Sequence, residues 1–88
     1  MPSQKLIVTN KFGLHARPAA ALAKLSSKYR SRITLHKDNK VANGKSILEI
    51  LTLAAPAGST IILTAEGEDA PQVMNDLTSL ADAGFQLL

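Results

Sequence analysis

Two five-residue runs of this chain place apolar residues at every second position on one face, and that spacing limits the fold more than any other feature. Lys5-Leu6-Ile7-Val8-Thr9 puts Leu6 and Val8 on one face, and Arg32-Ile33-Thr34-Leu35-His36 does the same with Ile33 and Leu35. A period of two is the pleat of a strand, so each run has a face to bury. Asp38-Asn39-Lys40 makes a tight turn from the second run into a short strand near Val41-Ala42. Thr60-Ile61-Ile62-Leu63-Thr64-Ala65 is the most β-prone run of all, and Gly67 breaks it.

Between these strands the period changes to that of a helix. Residues 16 to about 28 are rich in alanine, with Ala19, Leu22, Ala23 and Ser26 at helical spacing and Lys24 and Lys28 outside. Ser46 to about Leu53 reads as a short helix opened by Ser46 and Glu49, an S-x-x-E capping box, and closed before Pro56 and Gly58. A last helix is capped by Asp69 or Glu68, carries Pro71 in its first turn, and turns Val73, Leu77, Leu80 and Ala81 inward, with Gly84 as its stop. The order is β-α-β-β-α-β-α. One amphipathic sheet must bury a face and the helices supply the cover, which gives a small α+β domain over residues 1–88.

Eighty-eight residues without a cysteine leave no disulfide, thiolate metal site or redox chemistry to consider. Met1-Pro2-Ser3-Gln4-Lys5 lacks a signal-peptide pattern, and no apolar run nears the roughly 18–20 residues that span a bilayer. A cytoplasmic protein without membrane insertion is the expectation. Basic residues outnumber acidic ones by ten to seven, and eight of the ten lie between Arg17 and Lys45. That asymmetry suits steering toward acidic protein partners. Nucleic acid is disfavoured, because the three aromatics, Phe12, Tyr29 and Phe85, are not interleaved with the basic residues.

The chemistry concentrates in Asn10-Lys11-Phe12-Gly13-Leu14-His15-Ala16-Arg17-Pro18-Ala19-Ala20. Gly13 permits a tight turn, Pro18 suits a first helical turn, and His15 falls where loop becomes helix. The free amides and positive dipole end there form an anion site. An imidazole at its edge and a guanidinium two residues on can carry a phosphoryl group and neutralise its charge. Imidazole near pH 7 is a competent nucleophile. An N-cap histidine beside a surface arginine is the plainer reading, and the combination of turn glycine, histidine, arginine and proline weighs against it.

This stretch resembles the active-site signature Gly-[Leu/Ile/Met]-His-[Ala/Thr]-Arg-Pro-Ala of the HPr family, the histidine-containing phosphocarriers of the bacterial phosphotransferase system. Gly44-Lys45-Ser46-Ile47-Leu48 resembles the segment with that family's regulatory phosphorylation site, and Ala65-Glu66-Gly67-Glu68-Asp69-Ala70 resembles its last strand–helix junction. The three landmarks, in order, cover essentially the whole chain.

The resemblance implies an open-faced β-sandwich, a four-stranded antiparallel sheet with three helices on one face. It implies that His15 takes a phosphoryl group on Nδ1 from enzyme I, itself charged by phosphoenolpyruvate, and passes it to enzyme II A-type acceptors in sugar uptake. Arg17 is then the phosphate-neutralising residue, and the chain a monomer without turnover of its own. A regulatory module of the nitrogen-related branch, sensed through its phosphorylation state, is the alternative. Ser46 has a sufficient reason to be serine as a cap, and by resemblance it is also the target of a serine kinase and phosphorylase. So short a helix cannot turn all of Ile47, Leu48, Ile50, Leu51 and Leu53 inward; most of them as core is the plain expectation, and the resemblance implies instead that Ile47, Leu48 and Leu51 form a partly exposed docking patch.

His36 falls on the outward face of a strand and reads as an ordinary exposed histidine. It shares no metal-ligand spacing with His15, and neither a glycine-rich phosphate loop nor a dinucleotide fingerprint occurs. No metal and no cofactor is therefore expected, and the phosphoryl group must come from another protein.

Overall fold

The computed structural model describes residues 2–86. It contains β1 (Ser3–Ile7), α1 (Ala16–Ser26), β2 (Arg32–Lys37), β3 (Lys40–Asn43), α2 (Ile47–Thr52), β4 (Thr60–Glu66) and α3 (Ala70–Asp82). The four strands form one antiparallel sheet in the order β1-β4-β2-β3.

Alternation decides which face is covered. Leu6, Ile33, Leu35, Ala42, Ile61, Leu63 and Ala65 point one way and are buried. Leu22 of α1, Ile50 of α2, and Val73 and Leu77 of α3 close over them. On the other face a cross-strand row runs Lys5, Ile62, His36, Val41 by register. Its members are exposed or half-buried, so His36 is outward and partly covered by its neighbours. The open-faced α+β architecture expected from the resemblance is what the chain adopts.

Element ends differ from expectation where local hydrogen bonds intervene. β1 begins two residues earlier, because its ladder with β4 runs from Ser3↔Thr64 to Ile7↔Thr60. Val8 leaves the ladder yet stays in the core, held by Val8 N–H to Ser59 O at 2.9 Å and Gly58 N–H to Val8 O at 2.7 Å. α1 stops at Ser26 instead of near residue 28, because Lys28 and Tyr29 donate three residues back, to Leu25 and Ser26, and tighten the last turn.

Two caps also work differently. Ser46 Oγ accepts from Glu49 N–H at 3.2 Å, as the capping box requires. The Glu49 carboxylate does not reach back to Ser46; it accepts from Asn43 N–H at 3.0 Å, while Ser46 N–H donates to Asn43 O. Asp69 occupies the N-cap of α3 but makes no side-chain cap bond. Its carboxylate accepts instead from Arg30 N–H and Ser31 N–H, both at 2.9 Å, and from the Ser31 hydroxyl. These bonds hold its carboxyl below the usual range, the Ser31 hydroxyl foremost.

Candidate functional site

Backbone contacts fix the loop that carries His15 before any side chain does. Asn10 O accepts from Gly13 N–H at 3.0 Å, and Leu14 N–H donates to Ala55 O at 2.9 Å. Gly13 has φ +72°, and a Cβ there would lie 2.3 Å from Ala55 O and 2.9 Å from Pro56 Cα. Only glycine fits that close approach, and it lets the loop lie flat on the turn after α2. Leu14 is buried in the core, so the next residue must face out.

That residue is His15, the N-cap of α1, with an extended backbone (φ −81°, ψ −167°) and no side-chain capping bond. Its carbonyl already accepts from Ala19 N–H at 3.0 Å, so the helix starts here while the imidazole remains exposed and makes no hydrogen bond to another described residue. Pro18 and Ala19 are buried against the core, which seats the first turn and leaves Ala16 and Arg17 exposed. Phe12, 74 % exposed, meets the imidazole edge to face, with ring centroids 6.0 Å apart at 78°. Lys11 Nζ lies 5.5 Å from the centre of the Phe12 ring.

His15 and Arg17 line one open cavity of about 760 Å³, together with Asn10, Phe12, Lys24 and the C-terminal turn Gly84–Gln86. No carboxylate side chain lies among its lining residues, and Arg17 and Lys24 are both cationic. An anion attached to the imidazole thus meets positive charge and the free amides of a helix start.

The remaining expected site residues sit on α2, which packs against α1. Ile50 and Leu53 are buried, whereas Ile47 is 43 %, Leu48 77 % and Leu51 36 % exposed. The short helix thus divides its apolar residues, burying one set and presenting the other beside Ser46. None of these four lines the His15 cavity. Phe12, Lys24, Asn10 and the C-terminal turn went unassigned in the sequence. Asn10 and Phe12 fall within the stretch singled out for its chemistry, Lys24 on an outer helix face and Gly84 at a helix stop, but none of them had been given a part in the site.

The family model for the PTS HPr component phosphorylation site matches residues 2–83. The phosphocarrier protein HPr of Xylella fastidiosa strain 9a5c is 41 % identical over 85 residues, 97 % of this chain and 96 % of that one. The phosphocarrier protein NPr of Shewanella violacea is 38 % identical over 82 residues, 93 % of this chain and 90 % of its own. A crystal structure of HPr from Thermoanaerobacter tengcongensis superposes with a TM-score of 0.92 at 39 % identity, covering both chains fully.

Proposed function

Because the chain belongs to the HPr family of phosphotransferase-system phosphocarriers, we propose that His15 is the residue that takes and gives the phosphoryl group. The observation that carries this is the His15 imidazole, exposed and free of any capping bond, at a helix start between Arg17 and Phe12. The donor is enzyme I, charged by phosphoenolpyruvate, and the acceptors are enzyme II A-type domains. A His15 ring nitrogen lends its lone pair to phosphorus as the N–P bond of the donor phosphohistidine breaks. The electron pair of that bond returns to the donor imidazole, and the proton on the second His15 ring nitrogen stays in place. Arg17 neutralises the phosphoryl oxygens, and Lys24 adds a second positive charge at the cavity wall.

Phosphotransfer within the system requires partner proteins, and the exposed Ile47, Leu48 and Leu51 supply an apolar surface to receive them. Residues 1–88 act as one domain in the cytoplasm; among the described residues no helix is long and apolar enough to cross a membrane. Ser46, half-buried at the N-cap of α2, is the regulatory position. The similarity to NPr supports a second reading, a carrier of the nitrogen-related branch.

The test is incubation with enzyme I and phosphoenolpyruvate, followed by mass spectrometry and acid treatment. Acid-labile, base-stable phosphate on His15, absent from His15→Ala, is the expected product; labelling of His15→Ala at the rate of the unmodified chain refutes the reading. Transfer rates to acceptors of each branch separate the two carriers.

A further inference from the structure

The C-terminal turn is one wall of the His15 cavity, and one side chain ties it there. Gly84 and Phe85 both take the left-handed backbone, at φ +70° and φ +60°, a conformation that disfavours phenylalanine. Burial of the Phe85 ring and a 2.8 Å bond from its N–H to Leu80 O hold the turn from below. From the side of the site, Asn10 Nδ2 donates to Gly84 O at 2.6 Å, across 74 residues of sequence. The same asparagine accepts Gly13 N–H on its backbone carbonyl and so opens the loop that presents His15.

The Gly84 carbonyl needs a donor, which turns the Asn10 amide so that Oδ1 points the other way. Oδ1 is buried there with no hydrogen-bond partner among the described residues. An unpaired buried acceptor works against stability, so packing alone is a poor reason for asparagine at this position. Its side chain does one thing that an apolar residue of that size does not: it fastens the last turn to the histidine loop.

We propose that Asn10 is a positioning residue for phosphoryl transfer at His15, holding the C-terminal turn beside the imidazole. This rests on His15 as the phosphorylated residue. Phosphohistidine is lost to any water that reaches phosphorus in line, and productive transfer needs the ring held in one orientation toward the partner. A wall fixed at Gly84 restricts both. With the tie cut, the left-handed turn loses its hold on the cavity side, water gains access, and the imidazole samples more orientations. Docking is untouched, because α2 lies outside this cavity.

Asn10→Leu tests this, since an apolar side chain of similar size offers the Gly84 carbonyl no proton and brings no charge into the cavity. Asn10→His serves as the rescue, with a ring N–H at the same reach from Cγ. Enzyme I labels each variant over a range of carrier concentrations, loss of phosphate from the isolated phosphoprotein is timed, and melting curves give the folded fraction. For Asn10→Leu, kcat per folded molecule is expected to fall about fivefold or more and phosphate loss to quicken about threefold, with KM within about twofold. Asn10→His recovers at least about half of each effect. Unchanged kcat and phosphate lifetime, or a change confined to KM, overturns the proposal.

Should either variant not fold, the unmodified chain decides: the Asn10 side-chain amide protons shift in the NMR spectrum when His15 is phosphorylated and exchange slowly in both states. Signals that neither move nor resist exchange overturn it. An unmodified chain that takes no phosphate brings down the reading of His15, and this inference with it, whereas the other failures strike Asn10 alone.

Discussion

Arg17 is exposed, two residues past His15, and no carboxylate pairs with it among the described residues. A guanidinium held free at a helix start is available to phosphate, and its removal should slow transfer without unfolding the chain. Arg17→Ala is expected to lower the rates of phosphorylation and of onward transfer by about tenfold to a hundredfold, as for loss of one charge-stabilising donor. Rapid-quench labelling beside a melting curve checks this, and loss of folding in place of rate would show a structural residue. Ser46 poses a sharper case, because its cap is real: Oγ accepts from Glu49 N–H. Ser46→Ala should cost about 1 kcal/mol and leave transfer intact. Ser46→Asp keeps an acceptor at the cap and adds charge beside exposed Leu48, so it should stay folded and weaken labelling by enzyme I. Equal labelling rates for all three leave Ser46 as a cap only.

At the scale of elements, the loop before α1 and the helix α2 carry separate duties that separate substitutions reveal. Gly13 combines positive φ with a Cβ position 2.3 Å from Ala55 O. Gly13→Ala must therefore shift the loop or the turn it rests on, at a cost of at least about 2 kcal/mol. Its labelling rate should fall even at temperatures where it remains folded, since the shifted loop carries His15; equal rates per folded molecule would refute that. Leu48 is 77 % exposed, so Leu48→Asp is expected to change stability by less than about 0.5 kcal/mol while weakening the complex with enzyme I in a titration on the same sample. A collapse of stability with unchanged affinity would assign Leu48 to the core. Much of this division was legible beforehand. Period-two and period-3.6 patterns placed Leu6, Ile33, Leu35, Val73 and Leu77 inside, and all are buried. The Glu49 half of the capping box was misplaced because Asn43 N–H, six residues earlier at the end of β3, takes its carboxylate, while Ser46 N–H is already bonded to Asn43 O. Phe12 against His15 was illegible because no periodic pattern covers a loop, and Asn10 against Gly84 because a pattern reports which face a residue takes, not which distant residue it meets.

Across the whole molecule, α3 and its N-cap are fastened to the connection between α1 and β2 by two acidic side chains that reach Tyr29, Arg30 and Ser31, 38 to 47 residues away in sequence. Asp69 takes Arg30 and Ser31, and Asp76 takes the Tyr29 hydroxyl and the Gln72 amide. Each bond favours the charged carboxylate, so both carboxyls titrate below the ordinary 3.8, Asp76 chiefly through Tyr29. Tyr29 responds in the opposite sense: burial first, then the bond to Asp76 and its charge, push the phenol up from 10.0 to about 12. Because the folded carboxyl values are depressed, their contribution is complete above the ordinary aspartate range and is lost as pH falls through the lowered values. The phenol's folded value is raised, so its contribution is complete below 10 and is lost as pH climbs toward about 12. The fold should therefore weaken at both ends, acid below 3.8 and alkali between 10 and 12. Tyr29→Phe removes the phenol and the strongest partner of Asp76, so its denaturation midpoint plotted against pH should run flatter than that of the unmodified chain on both limbs. The measured quantity is the difference between the two curves, in which every group common to both proteins cancels. Two curves that run parallel from pH 2 to 12 would mean that the Tyr29–Asp76 bond does not link α3 to the rest of the fold in solution.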